Sequence, residues 1–519
     1  MSKIFSFKTI IITFSCIGSF LVILATLNYG PGLSPDSIEY LAAANNLAHG
    51  LGFLSYNGLP ISEWPPLYPV IIFLSSFILG VSTLISAVIL NALLFGLIIY
   101  RSGLILYKYL NNKTIVIVGL LAVLFSIPVF TEALWAHSEL LFIFLLILYI
   151  DYLISYIEKG NLISFTILVI LTSFALLTRY IGITMVLTTI ITILIYSKKE
   201  KSKKILSILF YTVLSGIPIG IWIIRNYIIS NTFFGERGTS RYSFFLNIYL
   251  TIDKILSWDI SDHFINLKVF FIIFILIAAL VLILLMVKKI RVKDLYLIIN
   301  KRITVILILF ISGYLLTLIL ISSIKAHNPI DSRLLSPVYI PGLILLLIIL
   351  QACYNRIKSF KNVKLLKIVF ISVLILSGVE PILHTIKMIN YHYNNGEGYS
   401  GRLWEKENKK NWLISIKKNY IKNSVMYSNE PFEVYYLLNN YAKWSPRKTF
   451  YDSDQIYIHL NDLNGVWPSE KRGYLVWFNQ IEFHSTSLYT IRELKTVSDL
   501  KMIDSSDLGT LYSVEIKIE

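Results

Sequence analysis

Three groups of residues in this 519-residue chain combine types and spacing that could do chemistry. The first lies in SPDSIEYLAAANNLAHGLGFLSYNGLPISEWPPLYP, from Ser34 to Pro69, where Asp36 and Glu39 stand three residues apart. That spacing puts both carboxylates on one face of a helix. A carboxylate beside a membrane can act as a general base toward a hydroxyl, because excluded water raises its proton affinity. An acid in a first helical turn also simply stabilises the helix amino terminus, and Glu39 reads first as a solvated acid, with a second ligand for a divalent cation as the alternative. The second group, TEALWAHSELLF, brings Glu132, His137 and Glu139 to the start of a strongly apolar run. Acids placed there are costly in lipid and face a water-filled cavity or a partner. Asp36, His137 and Glu139 offer hard ligands for a metal, but no tight HxxxH spacing accompanies them, and helix capping by Ser138 and Glu139 accounts for part of the pattern. The third group is basic: Arg179, Arg225, Arg237, Arg241, Lys325 and Arg333 all fall between apolar runs on one side. Together they suit an anionic ligand such as a lipid phosphate, although Arg333 could equally pair with Asp331.

The elements that must position these groups follow from local sequence. Ser34 suits an N-cap, Pro35 the first helical position, and Gly50 a helix end, so the first stretch predicts a short amphipathic helix lying on a membrane surface, with Ile38, Leu41, Leu47 and Ala48 on its apolar side. The proline-rich EWPPLYP segment cannot continue it. Apolar runs long enough for a membrane recur at Thr9–Leu27, Thr83–Tyr100, Ile115–Phe130, Leu140–Ile157, Leu162–Leu177, Ile181–Tyr196, Ile205–Ile228, Val269–Val287, Ile303–Ile324, Pro337–Cys353 and Ile368–Met388. Hydrophobic residues make up 55% of the chain, charged ones only 15%, and the mean hydropathy is +0.67. The expectation is an all-α polytopic membrane protein of about eleven transmembrane helices, with interfacial helices in a first outer loop at 29–82. A transmembrane domain spans 1–388, and 389–519 has soluble composition. Strand-like runs Ser424–Tyr427, Tyr474–Phe478 and Leu511–Ile518 alternate there with a helical stretch, Pro431–Leu438, which predicts a small α/β domain.

Leu67–Gly80 is short for a hydrocarbon core of ~30 Å, and sidedness decides its role. If it stays outside, the basic clusters Arg101/Lys108/Lys113, Lys198–Lys204, Lys288–Arg302 and Arg356–Lys367 all face the cytoplasm, as does the amino terminus. It is therefore an interfacial or re-entrant helix, and the three reactive groups, with the carboxy-terminal domain, lie on the extracytoplasmic face of a cell membrane. The net charge of +16 belongs to these topology signals, which argues against a nucleic-acid partner. Cys16 and Cys353 sit inside apolar runs, so neither a disulfide nor a cysteine metal site is implied. Asp151 is an exception to the one-sided charge, a mid-membrane acid that reads equally as one near the interface.

The patterns S-P-D-S-x-E-Y, A-N-N-L-A-H-G-x-G-F, W-P-P-L-Y-P, S-E-L-L-F and D-S-R-L-L-S-P-V-Y-I-P resemble the GT-C superfamily of integral-membrane glycosyltransferases, and most closely the group similar to protein O-mannosyltransferases and lipid A aminoarabinose transferases. YSNEPFEVYYLL, Tyr427 to Leu438, resembles the extracytoplasmic tail of many such proteins. The resemblance implies that Asp36 is the first-loop catalytic aspartate, that Glu139 is the second-loop acid close to it, and that Arg333 is a basic residue near the donor phosphate, joined by Arg179, Arg225 or Lys325. Glu39, Tyr40, Glu63, Trp64, His137, Arg237 and Arg241 are candidates for donor or acceptor contacts. It implies a polyprenyl-phosphate-sugar donor, an acceptor that is protein, lipid or glycan, and inversion at the anomeric centre. The first loop carries Asp-Ser where some relatives carry Asp-Asp or Asp-Glu, so no cofactor is implied with certainty and a divalent cation stays open. A lipid-linked glycan flippase or transporter, or a noncatalytic component of surface-polysaccharide assembly, is the alternative; a transporter would line a path across the whole membrane with charge.

Overall fold

The computed structural model describes residues 2–258, 301–357, 363–402, 404, 407–420, 424–479 and 485–517. Helices α1 (Ser2–Ala25), α4 (Thr83–Tyr109), α7 (Glu139–Lys159), α8 (Leu162–Thr178), α9 (Ile183–Tyr196), α10 (Lys201–Ser230), α12 (Arg302–Ile324), α13 (Ser332–Ile357) and α14 (Val363–Asn395) account for most of the apolar runs. Among the described residues six helices are long and apolar enough to cross a membrane, and a seventh span arises if α5 (Lys113–Leu124) and α6 (Ile127–Leu134), bent by 41° at Phe125 and Ser126, count as one. Length and composition thus support a multi-pass membrane protein but do not reach eleven spans: α8 and α9 are short, and Val269–Val287 lies outside the described residues.

Small residues set the closest helix pair. Gly96 of α4 lies against Ser15 and Ser19 of α1, and Ser15 Oγ and Ser19 Oγ donate to the carbonyls of Gly96 and Ala92 at 2.7 and 2.8 Å. Such contacts let two backbones approach where lipid offers no hydrophobic drive. The helix α7 is buried along nearly its whole length, from Leu140 to Tyr156, whereas α10 exposes Ile221, Ile224 and Ile228 and is followed by the short helix α11 (Phe244–Ser257).

Between α1 and α4 the chain forms α2 (Pro35–Ala48) and α3 (Leu67–Leu79). The expected cap is present, with Ser34 accepting from the Ser37 amide. Here the sequence expectation is corrected: α2 has no solvated face along most of its length, since Ser37 to Ala44 are all buried, while Ala48 is exposed. The reason is packing on more than one side: α3 lies along it, and the carboxy-terminal region closes over its far end. Tyr441 Oη donates to Asn46 at 2.9 Å, Asn45 reaches Asn439, and Tyr56 packs on Phe432. At Gly398, with φ of +61°, an added Cβ would fall 2.1 Å from the Leu33 carbonyl, so only glycine permits that approach of the two chains.

The last region contains α15 (Glu407–Asn419), β1 (Val425–Ser428), α16 (Pro431–Leu438), β2 (Lys443–Trp444), β3 (Arg472–Phe478), α17 (Ile491–Val497), β4 (Ser498–Ser506) and β5 (Gly509–Ile516). Its sheet runs β2-β1-β3-β5-β4, parallel from β2 to β3 and antiparallel beyond. The period of two is plain in β3: Tyr474, Val476 and Phe478 join a core with Leu413, Ile416 and Val434, while Leu475 faces Leu494, Val497 and Val514.

Candidate active site

Four chain segments converge beside the amino terminus of α2. Asp331 caps α13 by accepting from the Leu334 amide at 2.9 Å, which occupies it and leaves Arg333, in the first turn, to reach elsewhere. Arg333 Nη2 donates to Asp36 Oδ2 at 2.7 Å, and its Nε lies 3.1 Å from Glu139 Oε1. Glu139 opens α7 and is 1% exposed. The same oxygen lies 2.5 Å from Nη1 of Arg179, whose extended backbone separates α8 from the turn Tyr180–Gly182. The result is an alternating row, Asp36, Arg333, Glu139, Arg179, with two charges of each sign. Arg179 also donates to Ser138 Oγ at 3.3 Å, and Tyr40 Oη lies 3.4 Å from that oxygen.

Burial alone would raise the Asp36 carboxyl, but the Arg333 charge and hydrogen bond outweigh it, with help from His137, and hold it below the usual carboxylate range. Among the described residues no hydrogen bond engages Asp36 Oδ1, and the side chain keeps 23% of its exposure. An ionised, oriented carboxylate with one oxygen open is the form a general base requires.

Beneath it runs a second row. Glu132 Oε2 accepts from His137 Nδ1 at 2.9 Å, and His137 Nε2 lies 2.9 Å from Oγ of Ser34, the cap of α2. His137 also stacks on Trp135, while the Trp135 ring closes over Gly32. Ligand atoms of Glu132, His137 and Glu139 lie within 4.8 Å of one another, a possible metal cluster. Both nitrogens of His137 and the Oε1 of Glu139 are already engaged, however, so a cation would have to displace arginine and serine contacts. The donor set fits this ion-pair network better than a metal.

The remaining candidates divide. Glu39 makes no ion pair with Arg333 among the described residues, accepts a hydrogen bond from Ser55 Oγ, and is pushed up by burial to about 8. Glu63 is also raised by burial, against the nearby charges of Arg237 and Arg447, and Trp64 meets Tyr40 edge-on at 6.4 Å. Arg237 Nη1 lies 2.7 Å from His327 Nδ1, and burial together with Arg237 depresses His327 to about 3, so the imidazole is neutral and accepts through Nδ1. Arg241 instead donates to the Ser453 carbonyl at 2.8 Å and pairs with Asp454 at 2.9 Å, tying its loop to the carboxy-terminal region. Arg225 lies away from the row: its guanidinium covers the Trp222 ring at 4.4 Å and donates to the Ile61 carbonyl. Lys325 is exposed at the end of α12. The sequence gives His327 no evident role, although its neighbours Lys325, Asp331 and Arg333 draw notice for their charge. It likewise gives none to Tyr451, a carboxy-terminal residue that burial and the carboxylates of Asp452 and Asp36 push up to about 12.

Neither a family model nor a curated protein matches the chain by sequence. Solved structures do. The aminoarabinose transferase ArnT of Cupriavidus metallidurans superposes over 96% of this chain and 97% of its own, with a TM-score of 0.59 and 11% identity. The fold is that of the GT-C membrane glycosyltransferases. ArnT bound to undecaprenyl phosphate is as similar, over 98% of both chains at a TM-score of 0.58 and 11% identity. The mycobacterial arabinofuranosyltransferase AftD has 12% identity and a TM-score of 0.54 over 99% of this chain, which spans 40% of AftD. At these identities the likeness is one of GT-C fold.

Proposed function

We propose that this chain is a membrane glycosyltransferase that moves a sugar from a polyprenyl-phosphate carrier to an acceptor on the extracytoplasmic face. The observation that carries the reading is the 2.7 Å contact between Arg333 and Asp36, which sets an ionised carboxylate at the buried end of a GT-C-type bundle. The likeness to ArnT, solved with undecaprenyl phosphate, supports the donor class.

In this mechanism Asp36 Oδ1 takes the proton of the acceptor hydroxyl as its oxygen attacks the anomeric carbon. The bond from that carbon to the carrier's phosphate oxygen breaks, the electron pair stays on the phosphate, and the configuration inverts. The departing charge needs cations. Arg333 and Arg179 are balanced by Asp36 and Glu139, whereas no carboxylate pairs with Arg237 among the described residues. Arg237, oriented by neutral His327, therefore joins Arg333 in holding the phosphate, and Arg179 keeps Glu139 in place. Residues 389–519 form a separate unit that covers the site and shapes acceptor choice.

The test is purified full-length protein in nanodiscs, supplied with a panel of polyprenyl-phosphate sugars and a membrane extract as acceptor source. The expected result is release of free polyprenyl phosphate from one donor, matched mole for mole by glycosylated product. Movement of intact donor between leaflets without cleavage would favour the transporter reading instead.

A further inference from the structure

A charged cleft lies at the opposite end of the bundle from Asp36. Glu139 opens α7 and Glu158 nearly ends it, 19 residues later, a separation of roughly 28 Å along the helix. There α4 and α7 flank an open cleft of about 310 Å³ lined by Arg101, Lys108, Asp151, Ser155, Glu158 and Lys159, with Tyr152. Arg101 Nη2 donates to Asp151 Oδ2 at 2.7 Å, and Lys108 Nζ lies 3.5 Å from Oδ1.

Two features ask for a ligand. Arg101 and Asp151 each stand eight residues inside their helix ends, about 12 Å of helix, so the cleft extends inward along both helices from those ends. Arg101 Nε is buried there without a hydrogen-bond partner. The lining also carries excess positive charge: Glu158 lies 3.8 Å from Arg302, outside the cleft, which leaves Arg101, Lys108 and Lys159 against Asp151, an excess that suits an anionic phosphodiester. Lys108 and Lys159 lie at the level of the helix ends, where headgroup phosphates sit, and Arg101 can extend toward that level along its apolar stem.

We infer that the cleft between α4 and α7 binds the phosphodiester headgroup of an anionic phospholipid in the leaflet opposite the catalytic end. The site stands independently of the sugar-transfer reading. Its ligand is recognised as a singly charged phosphate by three cations, with Asp151 fixing Arg101 and Lys108 in place.

Thermal unfolding of the full-length protein in detergent tests it, with short-chain phosphatidylglycerol, short-chain phosphatidylcholine or inorganic phosphate added. Phosphatidylglycerol is expected to raise the midpoint saturably, and more than phosphatidylcholine. Lys108→Gln and Lys159→Gln should each weaken that apparent affinity about tenfold. Lys108 is half exposed and Lys159 exposed, so both variants should keep the lipid-free midpoint. Equal shifts from the two lipids, or an unchanged affinity in both variants, would overturn the site. A matching shift from inorganic phosphate would overturn the lipid source and assign the cleft to a soluble phosphate.

Discussion

Asp36 and Glu39 sit three residues apart on one short helix, and their surroundings drive them in opposite directions. Both are desolvated. Asp36 faces Arg333 at 2.7 Å and stays ionised, whereas Glu39 accepts from the Ser55 hydroxyl, has no ion pair among the described residues, and rises to about 8. Burial is common to the two, so the guanidinium decides which is available as a base. Glu39 then serves as a neutral acid that ties α2 to the loop at Ser55.

That contrast can be broken first at its cause. Arg333→Ala leaves Asp36 and Glu139 without their shared cation, and should cost about 3–5 kcal/mol of stability, read by chemical unfolding in nanodiscs, together with about 100-fold in transfer rate. Unchanged transfer would remove the arginine from both phosphate binding and base control. A smaller effect is expected from His137→Gln, which interrupts the Glu132–His137–Ser34 row under the cap of α2. Misplacing Asp36 in this way should lower kcat about tenfold while the donor KM holds, whereas loss of a donor contact would move KM instead.

Glu39 sharpens the other half of the comparison through pH. Its folded value of about 8 lies above the ordinary 4.5, so the folded state holds the proton more tightly, and this group's contribution to stability falls as pH rises from 4.5 to 8 and is constant above. Glu39→Gln should flatten that part of the stability profile and leave transfer nearly intact. The smallest effect belongs to Arg241→Ala. It removes a contact to largely solvent-exposed Asp454, worth up to about 1 kcal/mol, and should weaken acceptor binding by no more than about fivefold.

Much of this was legible in the residues themselves. Ser34, Pro35 and Asp36 specified the start of α2, and the helix Pro431–Leu438 has the bounds its proline and apolar run suggest. Most expected spans within the described residues fall on helices, because apolar length is a local property, but Ile115–Phe130 breaks into α5 and α6 and the number able to cross a membrane falls short of eleven. What composition could not show was long-range pairing. Arg333 had a plausible partner in Asp331, two residues away, and only the fold reveals that Asp331 is spent as a cap while Arg333 reaches Asp36, 297 positions distant. Arg225 looked like a phosphate ligand from its side of the membrane, but the structure stacks it on Trp222. Cover of the far end of α2 was likewise invisible, since Tyr435 and Tyr441, which hydrogen-bond Asn45 and Asn46, come from the other end of the chain.

The most direct measurement is the transfer rate of Asp36→Asn and Glu39→Gln, side by side with the unaltered protein, in the same nanodiscs and with the same polyprenyl-phosphate sugar. The account predicts a loss of about 100-fold or more for Asp36→Asn and nearly full activity for Glu39→Gln. Equal activity in all three, or a greater loss at Glu39, would contradict it.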